Sequence, residues 1–135
     1  MMNQKTLHIG LLLVRLMTGV IFLVHGMQKF QGLEGTAGFF SSIGIPGPLA
    51  PVVAAIELLG GIALILGLGT RFAGAALTVI MLGVLLTAKM GQPYMSLEFD
   101  LIVLFASLQQ ALVGSGQYGL DAVLFRKKSA QAISA

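Results

Sequence analysis

The chain has 135 residues, of which 56% are hydrophobic and 10% charged, and its mean hydropathy is +0.94. A soluble domain usually carries charge on about a quarter of its residues. The composition therefore excludes an ordinary soluble domain and predicts an integral membrane protein. The net charge of +3 is too small, and its basic residues too scattered, for a nucleic-acid-binding surface. There is no cysteine, which excludes disulfides and cysteine-ligated metal or iron–sulfur sites.

Four apolar runs predict an all-α fold, a bundle of four transmembrane helices in one membrane domain that covers residues 1–135. The runs span about residues 7–25, 49–68, 72–89 and 97–113. Each is close to the roughly 20 residues that a helix needs to cross a bilayer. The first run could imitate a signal peptide, but it carries Arg15 at its centre and has no small-x-small cleavage site, which indicates a retained span.

The connections between the runs add two shorter predicted elements. Residues 34–43 bring apolar side chains close together before a proline cluster, and this predicts a short interfacial or re-entrant segment between the first two spans. Glycines in residues 114–119 end the fourth span. Asp121 is then predicted to cap a short helical segment over residues 122–125.

Lysine and arginine are distributed unequally between the two sides of the predicted bundle. Lys29 and Lys89 share one side, and the other side holds Lys5, Arg71, Arg126, Lys127 and Lys128. The positive-inside rule therefore places both termini in the cytoplasm. We expect a multi-pass protein of the inner or plasma membrane, surrounded by the lipid bilayer.

Two opposite charges lie near the middle of the first two spans. Arg15 and Glu57 fall at similar predicted depths on consecutive helices. A lone charge there costs at least about 2.5–3.5 kcal/mol, so we expect the two side chains to pair. Remaining donors of Arg15 could reach Gln109 or Gln110 on the fourth span. The pair is either a structural lock or part of a site for a polar head group or a proton step.

A second polar group gathers at the opposite end from the termini. It contains His25, Lys29, Lys89, Glu98 and Asp100. A histidine beside carboxylates could move protons or bind an acidic or quinonoid head group. Lys29 and Lys89 are interpreted as interfacial residues with ordinary surface ion pairing. A helix points Glu98 and Asp100 roughly 200° apart, and we expect Glu98 to face the bundle. Asp100 and Asp121 are assigned structural roles.

The sequence also limits which cofactors the chain could bind through its own side chains. His8 and His25 are about 25 Å apart along one helix and cannot ligate one haem within a subunit. No metal-binding spacing, dinucleotide-binding fingerprint or flavin motif is present. Electrons in any redox reaction would therefore be carried by a bound small molecule or a partner. The sequence contains no stand-alone catalytic constellation and leaves open whether the chain is itself an enzyme.

Several segments together resemble the DoxX family. The first-span signature is matched by Arg15-Leu-Met-Thr-Gly19, by Phe22 and by His25-Gly-Met-Gln-Lys29-Phe30. The second is matched by Glu57-Leu-Leu-Gly-Gly61 through Arg71, with Gly44-Ile-Pro46 before it and Gly119-Leu-Asp121 near the end. The resemblance implies a four-helix bacterial or archaeal membrane protein associated with quinone-linked oxidoreductase complexes or with quinone and oxidative stress. It maps the family's motif residues onto Arg15, Glu57, His25 and Lys29.

Residues and resemblance together predict a membrane subunit of a quinone-linked redox or detoxification system. Arg15, Glu57, His25, Glu98 and Gln109 would shape a site for a small amphipathic, quinone-like ligand, with a soluble or membrane oxidoreductase as partner. One alternative is a non-catalytic scaffold that anchors a soluble enzyme. Another is a small-molecule transporter, which would act as a homo-oligomer.

Overall fold

The computed structural model describes residues 1–126, and these contain helices and loops without a strand. The main helices are α1 (Gln4–Gln31), α2 (Leu33–Ser42), α3 (Leu49–Leu66), α4 (Thr70–Leu86) and α5 (Tyr94–Val113). Residues 120–126 form a further short helix. Lys127 and Lys128 of the predicted basic tail lie outside the described residues.

Three helices, α1, α3 and α5, are long and apolar enough to cross a membrane, and α4 is a shorter apolar helix of 17 residues. Their outward faces carry large apolar side chains, such as Leu13, Leu59 and Phe105, each more than 60% exposed. Such a surface is stable only against lipid. The protein is therefore a multi-pass membrane protein in contact with the bilayer.

The predicted segment between the first two spans is helical, as α2 shows. It differs by one residue at each end from the predicted range of 34–43. Phe40 is buried and Phe39 is exposed, so α2 covers part of the bundle with one face.

Helices α1 and α3 pack against each other in opposite directions and at very close range. A Cβ atom added to Gly26 would lie 2.6 Å from the backbone nitrogen of Leu58, and one added to Gly61 would lie 2.5 Å from that of Leu23. Both distances are too short for any side chain. The glycines therefore allow the close approach and fix which levels of the two helices meet.

Helices α4 and α5 form a second close antiparallel pair, in which Gly74 faces Ala111. A small apolar core joins the pairs and contains Phe22, Leu64, Ala73, Leu77, Met81 and Val103. We call the end where α1 and α4 begin the proximal end, and the end where α1 and α4 terminate the distal end.

Asp121 does not have the role that the sequence suggested. Its Oδ1 accepts a hydrogen bond from the backbone nitrogen of Gly69 (2.8 Å), and its Oδ2 accepts one from that of Thr70 (3.0 Å). No side chain from the start of α4 itself caps this helix, and its free N–H groups need an acceptor. A carboxylate is most stabilising at such a positive helix end. Asp121 therefore caps α4, a distant helix, and not residues 122–125.

Candidate functional site

The predicted pair of Arg15 and Glu57 does not form. Glu57 accepts a hydrogen bond from Lys29 Nζ (2.8 Å), while Arg15 donates to backbone oxygens of Ser115 (2.7 Å) and Tyr118 (3.3 Å). The prediction was wrong because α1 continues to Gln31, beyond the predicted first span. Arg15 consequently lies beside Gly67, and about 15 Å of helix separates that level from Glu57.

Arg15 instead holds the loop of residues 114–119 at the proximal end. Its side chain is 1% exposed, and no hydrogen-bond partner of its Nε lies within residues 1–126. The loop is also held at Gln117, whose backbone nitrogen donates to His8 Nδ1 (3.2 Å). The predicted contact of Arg15 with Gln109 or Gln110 is replaced by a bond from Gln110 Nε2 to Gln109 Oε1 (2.8 Å). Arg15 and Gln109 therefore belong to the internal structure of the proximal half.

A cavity of about 690 Å³ lies in the distal half, between α1, α2, α3, α4 and α5; we call it the distal cavity. Most of its wall is apolar and includes Phe39, Phe40, Ile43, Ile45, Val53, Val79, Ile80, Met81 and Val84. Its ionisable wall residues are His25, Lys29, Glu57, Lys89 and Asp100. The structure thus brings together His25 and Glu57 from the predicted site, without Arg15 or Gln109.

The ion pair of Lys29 and Glu57 is the most buried charged feature of this wall. The Glu57 side chain is 3% exposed and that of Lys29 is 26% exposed. An ammonium group has three donors, and the bond to Glu57 uses one. The bond engages Oε2 of Glu57, and no described residue donates to Oε1. The pair can therefore offer a ligand both hydrogen-bond donors and an acceptor.

His25 and a second ion pair complete the polar part of the distal cavity. Lys89 Nζ lies 3.5 Å from Asp100 Oδ2. The His25 ring lies 6.0 Å from the Phe99 ring between centroids, and among residues 1–126 neither imidazole nitrogen has a hydrogen-bond partner. A smaller cavity of about 320 Å³ is lined by His25, Gln28, Lys29 and Thr36. His25 and Lys29 therefore stand between an apolar cavity and a polar one.

One prediction about this end was wrong. Asp100, and not Glu98, lines the distal cavity, because Asp100 shares the α5 face of the buried residues Val103, Ser107 and Gln110. Lys29 and Lys89 each form an ion pair with a carboxylate, and the pair of Lys29 differs from an ordinary surface pair because the Glu57 side chain is 3% exposed. Within residues 1–126, no three histidine, aspartate or glutamate side chains are grouped as metal ligands.

A lipid-facing helical bundle with a ligand-sized cavity and a buried charged wall defines a small multi-pass membrane protein with an internal cavity. The chain belongs to the DoxX family, whose model matches residues 10–90. It is 46% identical to the Bacillus subtilis (strain 168) protein named "Putative oxidoreductase CatD", over 98% of this chain and 99% of that protein.

Two relatives come from Escherichia coli (strain K12). The chain is 28% identical to the inner membrane protein YqjF, over 92% of this chain and 98% of YqjF. It is 30% identical to the inner membrane protein YphA, over 82% of this chain and 87% of YphA. The location of these relatives agrees with a multi-pass protein of the inner membrane. No solved structure matches the chain.

We predict that Arg15→Met destabilises the proximal half and leaves the structure of the distal cavity unchanged. The change leaves the buried carbonyl oxygen of Ser115 and the partly buried one of Tyr118 without their donor. Unsatisfied buried groups cost about 1–3 kcal/mol each, so the thermal unfolding midpoint in detergent should fall. Amide hydrogen exchange at Gln117 should also become faster.

The matched control is Lys5→Met, which removes an exposed cation from the same end of α1. It should leave both the unfolding midpoint and the exchange rate of Gln117 near those of the unmodified protein. Equal behaviour of the two variants would show that Arg15 does not hold the loop.

Proposed function

We propose that the distal cavity binds a small amphipathic, quinone-like ligand and that the protein serves as a membrane subunit of a quinone-linked redox or detoxification system. The observation that carries this proposal is the buried ion pair of Lys29 and Glu57 in the wall of an apolar cavity. Charges in a membrane interior are costly and usually mark functional sites. In the proposal, the pair receives the polar end of the ligand.

The size and lining of the distal cavity support a ligand of this kind. Its volume of about 690 Å³ lies within the range of roughly 300–1,000 Å³ that is typical of small-molecule sites. Aromatic and aliphatic side chains of α2 and α4, such as Phe39, Phe40 and Ile80, would surround a ring or a short chain. The charged residues occupy a small part of the wall and would orient the molecule.

The hydrogen-bonding groups of the pair fit both oxidation states of a quinone. The two remaining donors of Lys29 could bind a quinone carbonyl oxygen. Oε1 of Glu57 could accept a hydrogen bond from a hydroxyl group of the reduced form. A site with both functions can retain the ligand through a redox cycle, whereas a site with donors alone would favour only the oxidised form.

His25 supports proton exchange at this site. Reduction of a quinone to a hydroquinone consumes two electrons and two protons. His25 borders both the distal cavity and the polar cavity beside Thr36, so it could pass protons from the polar side to the ligand. We propose that the electrons come from a partner oxidoreductase. The relative named "Putative oxidoreductase CatD" agrees with this class of system by its name.

We predict that the unmodified protein binds a short-chain benzoquinone and that Lys29→Met and Glu57→Gln both weaken this binding. The first change removes the donors, and the second removes the charge that holds Lys29 in place. A hydrogen bond to a charged group contributes about 1.5–3 kcal/mol, so each dissociation constant should rise at least roughly tenfold. Isothermal titration calorimetry in detergent, with the benzoquinone and then with its hydroquinone, measures the dissociation constants of the unmodified protein and of both variants.

The matched control is Glu98→Gln, which neutralises a carboxylate on α5 that does not line the distal cavity. This variant should bind the benzoquinone like the unmodified protein. Absence of quinone binding in the unmodified protein, together with co-purification of a soluble enzyme, would replace the proposal with the scaffold function. Binding that survives both Lys29→Met and Glu57→Gln would remove the ion pair from the site.

We further propose that α4 is a fourth span and that both termini are cytoplasmic. With 17 residues, α4 is about 25 Å long and lies at the lower limit for a transmembrane helix. It packs antiparallel to α5, and the proximal end holds Lys5, Arg71 and Arg126 among the described residues. This excess of positive charge supports a cytoplasmic proximal end.

Single-cysteine labelling tests the topology, because the natural chain has no cysteine. We predict that a membrane-impermeant maleimide added to intact cells labels Gln92→Cys at the distal end. Thr6→Cys should react only after the membrane is permeabilised. Labelling of both positions in intact cells, or the reverse pattern, would contradict the proposed topology.

A further inference from the structure

A third cavity, of about 490 Å³, lies at the proximal end, far from the proposed quinone site. It is formed by the start of α4, the end of α5 and the loop and short helix that follow. Its polar wall residues include Thr70, Arg71, Ser115 and Asp121. We call it the proximal cavity.

Arg71 is the exposed cation of this cavity. It lies in the first turn of α4, where the positive end of the helix dipole disfavours a cation. No described residue forms an ion pair or a hydrogen bond with its guanidinium group. Its side chain runs along Gly114, where an added Cβ atom would lie 3.2 Å from Arg71 Nε. The arginine is therefore positioned by the loop and has no anionic partner among residues 1–126.

Asp121, the acidic residue in the wall of this cavity, is not an ion-pair partner of Arg71. Both carboxylate oxygens of Asp121 accept backbone hydrogen bonds from the start of α4. Asp121 also faces the buried charge of Arg15, so one carboxylate stands beside two arginines. The hydroxyl of Thr70, a residue of the cavity wall, is buried and has no hydrogen-bond partner within residues 1–126. Among residues 1–126, the wall of the proximal cavity therefore holds a cation without an ion-pair partner, Arg71, and a carboxylate already engaged by backbone N–H groups, Asp121. It also holds the unsatisfied hydroxyl group of Thr70.

The rim of the proximal cavity is apolar and faces outward. Phe72 is 84% exposed, Phe125 65% and Val113 45%. In a membrane protein, such side chains contact lipid chains. Basic pockets at the cytoplasmic ends of transmembrane helices can bind anionic lipid head groups, and Arg71 lies next in sequence to the exposed Phe72.

We propose that the proximal cavity binds one anionic phospholipid, with the lipid phosphate on Arg71 and an acyl chain along Phe72 and Val113. Charge complementarity selects an anionic lipid over a zwitterionic one. The apolar rim selects a lipid over a free anion. This inference is independent of the quinone proposal, because the two cavities share no wall residue.

Native mass spectrometry of the purified full-length protein tests the site, with phosphatidylglycerol and phosphatidylcholine offered in equal amounts. One interfacial cation favours an anionic lipid by about fivefold, and this preference is the expected result for the unmodified protein. Arg71→Gln should reduce the preference to about one, and Arg71→Lys should retain part of it. Lys5→Gln, which removes an exposed cation at the same end without touching the cavity, should retain all of it.

Equal retention of the two lipids by the unmodified protein would overturn the proposal. Equal losses in Arg71→Gln and Lys5→Gln would also overturn it, since they would indicate general charge attraction. Inorganic phosphate at millimolar concentration should not displace the bound phosphatidylglycerol. Displacement would identify a site for a free phosphate ion and contradict the lipid assignment.

Discussion

The close approach of α1 and α3 determines the levels at which Arg15, His25, Lys29 and Glu57 lie in the bundle. Gly26 and Gly61 leave no space for a side chain between the two backbones, so the helices meet in one register. That register places Glu57 at the level of His25 and Lys29, and it places Arg15 beside Gly67. The two charges therefore lie in opposite halves of the bundle: Glu57 lines the distal cavity, and Arg15 contacts the loop of residues 114–119.

The two charges differ in what surrounds them, and this difference separates a structural role from a ligand-binding one. Arg15 is enclosed and donates to backbone carbonyl groups that would otherwise be unsatisfied. Glu57 is equally buried, but its partner Lys29 is partly exposed and both line a large apolar cavity. A buried ion pair contributes little net stability, because desolvation offsets most of the attraction. The small net stability expected of the Lys29–Glu57 pair is the reason that we propose a ligand-binding role for it.

Composition and hydrophobic runs were sufficient to predict the all-helical membrane fold, the extra segment that became α2, and the positions of Arg15 and Glu57 within apolar helices. They could not predict that Glu57 pairs with Lys29, because the last turns of α1 are polar and the apolar run ends before them. The helical spacing of the residues does indicate which charged side chains face the bundle interior. Lys29 continues the buried face of Phe22 and Gly26, and Asp100 continues that of Val103 and Ser107. The capping of α4 by Asp121 and the bonds from Arg15 to residues 115 and 118 are long-range contacts that no local pattern encodes.

The most direct measurement of the central claim, that the wall containing Lys29 and Glu57 forms a ligand site, is photoaffinity labelling with an azido-benzoquinone followed by peptide mapping. The account predicts labels in residues 36–45 and 79–84, which line the distal cavity, and a loss of these labels in Glu57→Gln. Labels confined to the lipid-facing surface of α5, such as Ile102 and Phe105, and unchanged in Glu57→Gln, would contradict it.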